Sequence, residues 1–143
     1  MGLDCYIVHG NDRDKAFTHG DDDRIKNVNL CGGLMSGNGD DGSFRGKFYE
    51  QLVSELMEHP GGIWHLDEDE HVSAVELKEQ ADALGHLITL RLEDADEEDR
   101  VLEDDTIIYQ DSWNGEFTFK EICDLETLFR VASERGAVMK VWW

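Results

Sequence analysis

The sequence predicts an α+β domain in which three helices form a single layer on a mixed or antiparallel sheet of about five to six strands. Three observations carry this. Apolar residues recur at helical spacing in separate windows, Phe44 to Met57 and Ile122 to Ala132. Runs of β-favouring residues lie between and around them. The resulting order is strand, helix, strand, helix, strand, hairpin, helix, strand. A length of 143 residues with 40% hydrophobic content suits one folded domain spanning residues 1–143.

Residues 3–8 read as a first strand, because Tyr6, Ile7 and Val8 favour extended backbone until Gly10 interrupts. Residues 10–42 are rich in Gly, Asp and Asn and read as a long loop, with a short strand beginning at Ile25. Phe44, Phe48, Tyr49, Leu52, Val53, Leu56 and Met57 predict a helix over residues 43–58, ended by Pro60 and Gly61. Ile63, Trp64 and Leu66 suggest a short strand. A second helix begins near His71, with Ser73 and Glu76 at capping-box spacing, and stops at Gly85. Residues 86–92 then read as a strand, and residues 93–105 as a solvated acidic loop. A hairpin follows: residues 106–113 and 116–119 flank Asn114-Gly115, the signature of a type I′ turn. Ile122, Leu125, Leu128, Phe129 and Ala132 mark the third helix up to Gly136, and residues 137–143 form a closing strand.

Charge is the chain's most distinctive property. It holds 33 Asp and Glu against 13 Lys and Arg, a formal net charge of −20. Phosphate-backbone recognition needs the opposite sign, so bare nucleic acid and anionic membranes are poor partners and a basic protein is a good one. A mimic of nucleic acid is a further reading, provided the carboxylates are spaced along one face. Solubility or adaptation to salt explains the same surplus without any partner. No basic leader precedes an apolar run and no stretch is long and apolar enough to span a bilayer, which gives a cytoplasmic expectation. Cys5, Cys31 and Cys123 are odd in number and widely separated, so reduced thiols are expected.

Three constellations offer chemistry. His65, Asp67, Asp69 and His71 alternate, and on a strand that period would place imidazoles and carboxylates on one face as ligands for a divalent metal. Acids at a helix start need no metal, so no cofactor is predicted outright. His9, Asp12, Asp14, His19 and Asp21 to Asp23 form an acidic loop without EF-hand spacing, which reads as turns. Ser43, Arg45, Gly46 and Lys47 follow a glycine-rich approach to the predicted first helix and could bind an anion at its N-terminus. The Walker spacing is absent there. No serine elbow or activated cysteine is present. Of the tryptophans, the Trp142-Trp143 pair would put one ring on each sheet face, one in the core and one as a contact for a partner or a second copy of the chain.

The segments MGLDCYIV, NLCGGLMSGNG and SFRGKFYE make the first third of the chain resemble a group of uncharacterised bacterial and phage proteins opening Met-Gly-Leu/Ile-Asp-x-Tyr. The resemblance implies a small bacterial or phage-encoded cytosolic domain and transfers no activity. It directs attention to Asp4, Asn38, Ser43, Arg45 and Lys47. The function expected from the residues is a small acidic protein-binding module acting through a negative surface, chiefly residues 93–105. The alternative is a metal-dependent or anion-binding enzyme built on the His65 to His71 or Arg45 to Lys47 region.

Overall fold

The structure is a computed structural model and describes residues 4–26, 28, 30, 43–45, 71–94, 107–111 and 115–142. Its elements are β1 (Asp4–Val8), a single 3-10 turn (Asp23–Ile25), β2 (Ser43–Arg45), β3 (His71–Val72), α1 (Ala74–Asp94), β4 (Ile107–Asp111), β5 (Gly115–Thr118), α2 (Phe119–Glu134) and β6 (Val138–Trp142). The α+β class holds. Among the described residues the strands form two sheets, a four-stranded one in the order β2-β1-β6-β3 and the separate β4-β5 hairpin. Every pairing is antiparallel.

Alternation in β1 sorts the sheet's two faces. Cys5 and Ile7 join Val72 and Met139 in the main core cluster, with Leu77, Ala81 and Leu84 of α1 and Ile122, Leu125 and Phe129 of α2. Both helices therefore cover this face, and their apolar residues recur every three or four positions as a buried stripe requires. Tyr6, Val8, Val138, Lys140 and His71 occupy the opposite face by the same period of two. Val8, Val138 and His71 are buried, so that face is covered too.

α2 starts as a capping box. Thr118 Oγ1 accepts the Glu121 N–H, and Glu121 Oε1 accepts the Thr118 N–H. It ends at Gly136, whose φ of 67° lies where a side chain is strained. Ser73 caps α1 as expected, its hydroxyl accepting the Glu76 N–H at 3.3 Å.

Several expectations are corrected. α1 does not stop at Gly85 but runs to Asp94, so residues 86–92 are helix and not strand. The β-like composition of that run is outweighed by burial: Leu84 and Leu87 are buried on the same stripe as Leu77, and a helical glycine costs only about 1 kcal/mol. Ser43–Arg45 is a strand paired with β1, so no helix begins at Ser43; residues 46–58 lie outside the described residues. Ile25 ends a 3-10 turn rather than starting a strand. In the hairpin Asp111 pairs with Gly115, which puts Gly115 in the ladder; a type I′ loop centred on Asn114-Gly115 would have paired Trp113 with Glu116 instead. The two α-helices are those of the described residues, and the expected strand at residues 63–66 lies outside them.

The loop after β1 is pinned to the same framework. Ala16 bridges to Val8, the Phe17 N–H donates to the Ile7 carbonyl at 2.9 Å, and Phe17 and Ile25 are buried. Gly10 passes so close to the end of α2 that a Cβ there would lie 2.1 Å from the Gly136 oxygen.

Candidate functional site

In the acidic loop from His9 to Asp23, three carboxylates, those of Asp12, Asp21 and Asp22, accept backbone N–H groups of the loop and the turn that follows it. Asp12 Oδ1 accepts the Asp14 N–H, and Asp21 Oδ2 accepts the Thr18 N–H and stands 3.1 Å from His9 Nε2. The Thr18 N–H, aided by His9, lowers the Asp21 pKa. Asp22 caps the 3-10 turn and grips the Arg24 guanidinium, which holds its carboxyl at about 2. Arg24 also reaches Glu134 at the end of α2. Among the described residues no three His, Cys, Asp or Glu side chains are placed to hold a metal ion.

The structure places the expected metal and anion residues differently. His71 is on β3 and buried, whereas His65, Asp67 and Asp69 lie outside the described residues. Ser43 and Arg45 belong to β2, an edge strand, so Arg45 does not stand at a helix N-terminus; Gly46 and Lys47 lie outside the described residues. What the sheet does bring together is a rung. Ser43 is opposite Tyr6, Tyr6 opposite Lys140, and Lys140 opposite His71, so positions from both sequence candidates share one line across four strands.

Directly opposed residues share a face with Cβ atoms about 5 Å apart, so Tyr6, Lys140 and His71 are side-chain neighbours on the face away from the helices. Tyr6 and Lys140 are half-buried. Burial raises the Tyr6 pKa and keeps the phenol protonated, a hydrogen-bond donor. No described carboxylate pairs with Lys140, although Lys120 and Arg130, also half-buried, hold Asp124 and Glu126. Tyr6 closes the Met-Gly-Leu/Ile-Asp-x-Tyr opening, which assigns it no role, and no motif contains Lys140. Their only signal was the alternation of polar and core residues in the first and last strands, and alternation does not reveal register.

Cys5 is buried and Cys123 half-buried, both as free thiols. No described helix is long and apolar enough to cross a membrane. No family model, curated protein or solved structure matches this chain.

Proposed function

We propose that this protein is an acidic binding module whose partner is a basic protein surface. The observation that supports the reading is how the charges are distributed. Every Lys and Arg except Lys47 and Arg100 lies among the described residues, and many of them are engaged locally: Lys78 with Asp82, Lys120 with Asp124, Arg130 with Glu126 and Asp82, Arg24 with Asp22 and Glu134. Residues 40–70 and 93–105 hold 18 of the 33 acids against three bases, Arg45, Lys47 and Arg100, so most of the surplus is concentrated there. A cationic surface meeting those segments would gain attraction from the local surplus of like charge.

Binding of a lysine-rich peptide, measured at rising NaCl, tests this. The affinity should fall at least about tenfold between about 0.05 and 0.3 M salt, as screened charges require. Neutralising the acids of residues 93–105 to Asn and Gln should weaken binding more than neutralising Asp12, Asp14 and Asp23. A response flat in salt, or equal for both variants, defeats the reading.

A further inference from the structure

We propose that the last turns of α1, residues 86–94, are a charge-gated extension of the helix: they open locally from the rest of α1, and a cationic partner meeting the acids at that end closes them. Four features of α1 point the same way. The first is burial, which falls along the helix. Leu77, Gln80, Ala81 and Leu84 are fully buried, whereas among residues 86–93 Leu87 alone is buried and His86, Thr89, Leu90 and Glu93 are exposed. Turns that bury little apolar surface open at a smaller cost than core helix does.

The second feature is a weak joint between the two halves. Gly85 has glycine's low helix propensity, and the Thr89 hydroxyl donates to the Gly85 carbonyl at 3.0 Å, the oxygen that helical geometry assigns to the Thr89 N–H. Third, Ile88 and Thr89 are β-branched and favour helix less than the Leu, Lys, Glu, Gln and Ala that dominate the first half. Fourth, charge opposes the far end. Arg91 is the base of the last turn, but Glu93 and Asp94 are followed by four more acids within residues 95–99. A helix C-terminus carries partial negative charge, so carboxylates there destabilise its final turns. A cation beside them relieves a repulsion that exists only while those turns are helical. It therefore binds the closed form better than the open one, the condition for a ligand to shift such an equilibrium. The partner here rests on the binding-module reading, whereas the opening of α1 belongs to the free chain, so the two can be tested separately.

Amide hydrogen exchange of the intact protein, read by NMR as protection relative to the unfolded chain, is the experiment. In the free chain the amides of residues 90–93, which bond to the carbonyls of residues 86–89, should be at least about tenfold less protected than those of residues 81–84. Glu93→Gln together with Asp94→Asn should raise the protection of residues 90–93 at least about threefold, since two charges leave the helix end. Glu79→Gln, at an exposed acid of the first half, should leave it unchanged. A lysine-rich peptide added at about 0.05 M NaCl should raise the same amides as it binds, and about 0.3 M NaCl should reverse the effect. Equal protection in the two halves, or protection that the double variant does not raise, overturns the gate. A peptide that binds and leaves residues 90–93 unchanged overturns the coupling while the binding module stands. A peptide that does not bind defeats the module and the coupling with it, even where the double variant closes the turns.

Discussion

Asp22 has its charged form strongly favoured by its neighbours. It accepts the backbone N–H of Arg24 at 3.0 Å and the guanidinium at 3.1 and 2.9 Å, and Arg135 Nε lies 3.9 Å away. Its carboxyl sits at about 2 against an ordinary 3.8, so the folded chain binds this proton less readily than the unfolded chain does. The stabilisation is therefore complete above 3.8 and disappears as the pH falls towards 2. Asp22→Asn keeps a capping side chain and removes the charge. The stability gap between the parent chain and this variant should be constant above about pH 5, below about 1 kcal/mol because Arg24 is exposed, and should close near pH 2. Denaturant melts across that range measure it, and a gap that persists at pH 2 assigns the effect to something other than this carboxylate.

Two glycines make different demands at the same junction. At Gly10 an added Cβ meets the Gly136 oxygen, backbone against backbone, whereas at Gly136 the space is open and only the positive φ is at stake. Gly10→Ala should cost more, about 1–3 kcal/mol as overpacking does, than Gly136→Ala, about 1–2 kcal/mol for a left-handed alanine. Urea midpoints of the two variants read the order directly. A smaller loss for Gly10→Ala would mean that the loop after β1 can lift away from the end of α2.

At the scale of elements, Gly85 shows both what the sequence conveyed and where it misled. Glycine followed by leucine, isoleucine and threonine imitates a helix stop and a new strand, yet α1 continues because Leu84 and Leu87 lie on the stripe that buries against α2 and the sheet. A Cβ at Gly85 would meet Arg130 Nη2 at 3.7 Å and Glu126 Oε1 at 3.9 Å, ordinary contact distances. Gly85→Ala should then stabilise the protein by about 0.5–1 kcal/mol, the helix-propensity gain without a clash. A destabilised variant in thermal melts would show that the interface of α1 and α2 needs the gap. β1, β6, the existence of the hairpin and the buried stripe of α2 were legible because each shows its own period within a few residues. The rung of Tyr6, Lys140 and His71 was not, since it depends on pairing strands that are separated by most of the chain. Ser43 was misassigned for a related reason: its apolar neighbours fit a helical period, but its pairing with Tyr6 decides its conformation.

Over the whole molecule, two electrostatic effects oppose each other. Ion pairs among the described residues, such as Lys120 with Asp124 and Arg130 with Asp82, favour the fold and weaken as salt rises. The carboxylates of residues 40–70 and 93–105 repel one another, and that repulsion also weakens with salt. Exposed pairs contribute little individually, and many of the acids have no base within reach in sequence, so relief of repulsion should dominate. The melting temperature should rise as NaCl increases from about 0.01 to 0.2 M, by roughly 4 °C for each kcal/mol of repulsion removed. KCl should act like NaCl, because screening depends on ionic strength and not on the cation. A melting temperature that falls with salt would mean that local pairs outweigh the surplus, and a rise confined to one cation would mean that the acids bind it specifically. The first result would remove the premise of the binding module, because a chain that gains nothing from screening its acids has little to gain from a basic partner that neutralises them.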